Sequence, residues 1–107
     1  MNSSDALKKI NSNIQFTLSY IIREEFPEYL ISLTDVDTSP DLEHAKILVG
    51  VPGDDHKVVK ELNLHAPGIR KLLAHSDLKI RRVPKLRFLL DESSSNFQNI
   101  DRLLKDI

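Results

Sequence analysis

From residue 79 to residue 90 the chain alternates between two kinds of side chain. Even positions are Ile80, Arg82, Pro84, Leu86, Phe88 and Leu90, and odd positions are Lys79, Arg81, Val83, Lys85, Arg87 and Leu89. Apart from Arg82 and Val83, the two sets sort into an apolar face and a basic face. Successive side chains of a strand point to opposite sides, so a period of two predicts a strand with one side buried. This constrains the fold strongly. The sheet that holds such a strand is covered on one face and open on the other. Pro84 has no N–H to give to a ladder, which places the strand at a sheet edge or puts a bulge at that point.

The rest of the chain supplies the cover. Leu7, Ile10, Ile14, Leu18, Ile21 and Ile22 recur at three- and four-residue spacing and predict one long helix. Ser3 or Ser4 can cap it, and Asp5 suits its first turn. Pro27 ends it, because the residue before a proline is pushed out of the α region. Leu30 to Val36 reads as a strand, DTSPD (37–41) as a turn, and Ala45 to Val51 as a second strand. The two form a hairpin. VPGDD (51–55) breaks the sheet, and Asp54 or Asp55 caps a helix carrying Val58, Val59 and Leu62. HAPG (65–68) interrupts that helix, yet Ile69, Leu72 and Leu73 resume helical spacing at once. Pro67 fits the first turn of a new helix, so helix, kink, helix is expected. After the alternating stretch, SSSN (93–96) offers a cap. Phe97, Ile100, Leu103, Leu104 and Ile107 then predict a C-terminal amphipathic helix. The predicted order is α-β-β-α-kink-α-β-α. It is an α+β sandwich whose helices pack on one face of a three-stranded sheet.

A chain of 107 residues suits one domain, here residues 1–107. With no cysteine, it has no disulfide, no thiolate zinc site and no cysteine nucleophile. The N-terminal stretch lacks the pattern of a signal peptide, and no window approaches the roughly 18 apolar residues of a membrane span. A cytoplasmic location, with no membrane partner, is therefore expected. The formal net charge of −1 conceals a segregation. Residues 1–69 carry six Lys and Arg against eleven Asp and Glu, whereas residues 70–90 carry seven against one. One strongly basic segment in an otherwise acidic chain points to a polyanion partner.

Clustered cations neutralise phosphates, the commonest source of nucleic-acid affinity. Lys and Arg on an exposed strand also discourage edge pairing, which is the competing structural reading. The kink strengthens the first. Ala66, Pro67 and Gly68 leave the backbone bare where the second helix of the pair begins, and a helix N-terminus accepts phosphate oxygens. Arg70 and Lys71 follow just beyond it. The acidic run DVDTSPDLEH (35–44) invites a metal, with Asp35, Asp37, Asp41 and Glu43 as hard oxygen ligands. It lacks the glycine and glutamate of a calcium loop, and a turn in which Asp binds its own backbone accounts for it more simply. His44, His56, His65 and His75 show no ligand spacing on one element. Neither a nucleophile elbow, a phosphate-binding loop nor a zinc-protease motif occurs, so no cofactor, metal or small-molecule substrate is expected.

The motifs together resemble a known family, the ribosome-binding factor A proteins of bacterial small-subunit assembly. IRRVPKLRFLLDES (80–93) looks like the family's strand followed by Asp-Glu-Ser. LTDVDTSPDLEHAKILV (33–49) looks like its hairpin, and Ala66-Pro67-Gly68 is similar to its Ala-x-Gly kink. The resemblance runs from about Leu7 to Ile107. It implies a single type II KH-like domain in which Ala-x-Gly replaces the usual Gly-x-x-Gly loop. It also implies a non-catalytic, monomeric factor. That factor binds the immature small (30S) ribosomal subunit and its 16S rRNA, and it promotes late maturation and 5′-end processing. The residues expected to contact RNA are Ala66, Pro67, Gly68, Arg70, Lys71, Lys79, Arg81, Lys85 and Arg87. Only Ile69 separates Gly68 from Arg70, one residue fewer than in the family's pattern, so the direction of Arg70 is left open. Two alternatives stand beside this reading. One is a protein-interaction module of the same shape, using the acidic hairpin or the C-terminal stripe without RNA. The other, more remote, is a metal-dependent hydrolase built on Asp35, Asp37 and Asp41.

Overall fold

A computed structural model of the protein describes residues 3–77 and 82–92, with side chains from residue 5 onward. Helix α1 (Ser3–Glu25) runs for about 35 Å at 1.5 Å per residue. Ile14, Leu18 and Ile22 form its buried stripe, with Ile10 and Ile21 packed at the margins. Asp5 in the first turn and Arg23 in the last both suit the helix dipole. The Phe26 N–H still donates to Ile22 O at 2.8 Å, and the helix stops there, immediately before Pro27.

Strands β1 (Ser32–Thr38) and β2 (His44–Gly50) pair antiparallel, about two residues later than the sequence suggests for the first strand. The register jumps from Leu33↔Val49 to Asp35↔Leu48, leaving Thr34 as an extra residue. A bulge of this kind changes which side chains face inward. Here it lets both Leu33 and Val36 pack toward the core. The connecting turn is closed by Leu42 N–H to Ser39 O at 2.8 Å. The Asp41 carboxylate accepts from Ser39 Oγ at 2.6 Å and from Glu43 N–H at 3.0 Å. The Ser39 hydroxyl, and then the Glu43 amide, hold the Asp41 carboxyl below its ordinary range. Asp41 is thus a turn residue that binds its own backbone.

A crossover then returns the chain to lie parallel to β2, as parallel neighbours require. It comprises a 3₁₀ turn (Pro52–Asp54) and helices α2 (His56–Leu64) and α3 (Ala66–Ala74). Asp55 caps α2 by accepting from Lys57 N–H at 3.0 Å. Strand β3 (Lys85–Leu90) completes the order β1-β2-β3. The expected alternation holds within it: Leu86 and Phe88 are buried while Lys85 and Arg87 are exposed. It is shorter than the sequence pattern suggests. Arg82–Pro84 is irregular, and Pro84, fully buried and without an N–H, lies just ahead of the first paired residue. Phe88, Ile47, Val49, Leu62 and Leu73 join the α1 stripe in one core. The fold is α+β, with three helices on one face of a mixed three-stranded sheet. The expected C-terminal helix at 97–107 lies outside the described residues.

Both edges of this small sheet are met by helix side-chain amides. On the β1 side, Asn11 Oδ1 accepts from Thr38 N–H at 3.0 Å, and Gln15 Nε2 donates to Leu33 O at 2.9 Å. On the β3 side, the Asn63 amide makes both bonds of a strand residue. Its Oδ1 accepts from Phe88 N–H at 2.8 Å, and its Nδ2 donates to Phe88 O at 2.9 Å. Phe88 is fully buried, so losing those partners strands two backbone groups. Asn63→Ala is expected to lower unfolding free energy by about 1–3 kcal/mol, measured by urea denaturation, with no loss of secondary structure at zero denaturant.

Candidate nucleic-acid interface

Helix α3 leaves α2 through a single residue, His65, at φ −95° and ψ 3°. Its ring stands edge-on to Phe26 at a centroid distance of 5.6 Å, and its Nε2 lies 3.3 Å from Glu61 Oε1. Ala66, the first residue of α3, is buried in the core. Pro67 and Gly68 are therefore the exposed surface of the corner. They face different ways. Gly68 lines a dimple of about 140 Å³ with Phe26, His65, Ile69 and Leu72. Pro67 lines a wider depression on the other flank.

That depression is basic. It holds about 310 Å³ between Pro67, Arg70, Lys71, Ala74, Arg82 and Val83. A second depression, of about 230 Å³, is lined by Glu43, His44, Arg70, Arg82, Val83 and Lys85. The two share Arg70, Arg82 and Val83, and so form one groove between α3 and the segment leading into β3. The direction of Arg70 is settled by its bonds. Nε and Nη2 donate to Val83 O at 3.1 and 2.9 Å. A guanidinium carries five N–H groups, so three remain for an incoming anion. Arg70 thereby positions the pre-strand segment and lines the groove at once.

Arg82 Nη1 lies 3.4 Å from Glu43 Oε1, with both side chains more than half exposed. The Lys85 N–H donates to Glu43 O at 2.9 Å, which fixes the end of the β1–β2 turn against the start of β3. Among the described residues that line the groove, Arg70, Lys71, Arg82 and Lys85 thus stand with one carboxylate, that of Glu43. Such a groove can exchange water for phosphate oxygens with little reorganisation.

The expected site residues do not all meet here. Pro67, Arg70, Lys71 and Lys85 line the groove, Gly68 lines the separate dimple, and Ala66 is buried in the core. Arg87 projects from the open sheet face, in a row with Lys46 and Asp37 across the three strands. Lys79 and Arg81 lie outside the described residues. Three groove residues were not anticipated. Arg82 sat with the apolar positions in the alternation, and Glu43 and His44 read as parts of an acidic turn. Their meeting depends on the parallel pairing His44↔Lys85, which no local spacing announces. Among the described residues, no three His, Asp or Glu side chains are grouped to hold a metal, and no helix is long and apolar enough to cross a membrane.

Comparison with known proteins agrees with this architecture. A Pseudomonas syringae pv. tomato ribosome-binding factor A is 34% identical over 106 residues, covering 92% of this chain and 76% of the relative. A Chelativorans relative of the same name is 38% identical over 77 residues, covering 71% of this chain but only 58% of its own length. The crystal structure of ribosome-binding factor A from Thermus thermophilus superposes with a TM-score of 0.69 at 21% identity, covering 78% of this chain and 94% of that one. A Thermus thermophilus homology model, fitted into a cryo-EM map of a 30S complex with the factor, superposes at 0.59 and 22% identity, covering 76% of this chain and 94% of that one. At such identities these likenesses speak to the fold. The family model for ribosome-binding factor A matches residues 6–104, nearly the whole chain, and the chain belongs to the ribosome-binding factor A family.

Proposed function

We propose that this chain is a non-catalytic assembly factor that binds the immature small ribosomal subunit through its 16S rRNA. It acts as a cytoplasmic monomer in late maturation and 5′-end processing of that RNA. The observation that carries this reading is the groove between α3 and the pre-β3 segment, with four cations against one carboxylate. Family membership and the 30S complex of the Thermus relative support the choice of partner. An RNA backbone presents phosphates in series, and a groove that tracks one would engage several at once.

The corner fits the same partner. A Cβ built on Gly68 meets no atom within 4 Å, so nothing inside the protein demands a glycine there. Glycine in a helix costs about 0.5–1 kcal/mol relative to alanine. A bare position that the fold itself does not use suits a sugar-phosphate backbone coming close from outside.

A second reading, docking of a protein without RNA, is favoured by Phe16 and Tyr20, which are 81% and 64% exposed one turn apart on α1. The two readings separate on salt. Lys71→Glu with Lys85→Glu should abolish co-sedimentation with small subunits while the circular dichroism spectrum stays native. Raising salt should weaken the unmodified protein steeply, whereas protein docking through apolar side chains would hardly change. Gly68→Ala gives an independent check of opposite signs. It should raise unfolding free energy by about 0.5–1 kcal/mol and at the same time weaken subunit binding.

A further inference from the structure

Glu43, the one carboxylate among the described residues lining the groove, has no use in holding a polyanion. Glu43 nevertheless has a firmly built position. Its N–H is held by Asp41 Oδ1 at 3.0 Å and its carbonyl by Lys85 N–H at 2.9 Å. Asp41 is itself braced by the Ser39 hydroxyl at 2.6 Å, and Ser39 Oγ accepts from His44 N–H at 3.1 Å. The turn thus fixes the backbone on both sides of Glu43. Its side chain then reaches from the β1–β2 turn to Arg82, 39 residues away in sequence, with Oε1 at 3.4 Å from Nη1.

This contact adds little to stability. Both partners are largely solvated, at 59% and 55% side-chain exposure, and exposed pairs of this kind are close to neutral. Its consequence is for binding. Arg82 lines both depressions and, with Arg70 and Val83, joins them. A carboxylate on Arg82 occupies the charge and the N–H that a phosphate would take.

We propose that Glu43 is a specificity-determining residue, an internal anion seated on Arg82 that RNA phosphate must displace to fill the groove. This rests on the groove being the RNA site. A phosphate held at no other point gains little by replacing a carboxylate that is already in place, since one exposed ion pair is exchanged for another. A backbone also gripped by Arg70, Lys71 and Lys85 brings its next phosphate to Arg82 at high local concentration, and there the exchange is favoured. Glu43 therefore suppresses loose RNA binding and leaves Arg82 available to a properly seated strand.

The test is a double-mutant cycle on the whole protein, read by fluorescence anisotropy with a uniform-sequence single-stranded RNA oligonucleotide and by co-sedimentation with bacterial small subunits. Glu43→Gln keeps the size and hydrogen-bonding capacity of the side chain and removes its charge. It should tighten oligonucleotide binding about three- to tenfold at low salt. In an Arg82→Ala background the same change should have a much smaller effect, because the cation that Glu43 contacts is gone and only the general charge of the groove changes. Equal tightening in both backgrounds would mean a general charge effect and would overturn the proposal, as would unchanged or weaker binding by Glu43→Gln alone. If the unmodified protein binds neither the oligonucleotide nor subunits, the RNA reading of the groove falls first, and this inference with it. Thermal unfolding of each variant controls for the fold, which neither exposed side chain supports.

Discussion

A sheet of three strands has two edges and one middle, so two of its three strands each lack a neighbour on one side. The fold depends on closing those edges without adding strands. It does so with amides carried on helices: Asn11 and Gln15 on α1 meet β1, and Asn63 on α2 meets β3. Each amide belongs to a helix whose apolar stripe is already buried on the sheet, so the same packing that forms the core delivers the hydrogen bonds. Unpaired edges invite pairing with other chains, and amide closure removes part of that hazard. It also sets the distance between α2 and β3.

The groove is thus a by-product of the crossover geometry. Helix α3 continues from α2 through His65 and descends past the start of β3, and Arg70 reaches across to Val83 O. Two elements distant in sequence are thereby tied together on either side of the groove. The cations come from both walls: Arg70 and Lys71 from the helix, Arg82 and Lys85 from the strand and its lead-in. A strand alone, however basic, would display its charges across an open face. The helix turns part of that charge into a channel.

How much of this was legible in residues alone depended on the range of the information. The stripe from Ile10 to Ile22, the Asp55 cap, the break at HAPG and the alternation of Lys85 to Phe88 are local patterns with local physical causes, and the structure carries each of them. The strand's true beginning was less legible. The alternation resumes at Pro84 after failing at Arg82 and Val83, but a buried proline without a donor cannot join the ladder, and the regular pairing starts after it. The bulge at Thr34 was not visible, since a single extra residue leaves no mark on composition. Least legible was the groove itself. Whether Arg82 meets Glu43, and whether Arg87 faces the channel or the open sheet, is decided by strand order and register.

The register row Asp37–Lys46–Arg87 has a consequence beyond any single contact. Across the open side of the sheet, negative charge sits at the β1 margin and positive charge at the β3 margin. Among the described residues, the open face of the sheet thus carries a charge gradient across its strands, although the net charge of the chain is only −1. A field of this kind reaches about 8 Å at physiological ionic strength before salt screens it. On a sheet face such a gradient distinguishes one edge strand from the other, so the two margins present unlike faces to a charged neighbour.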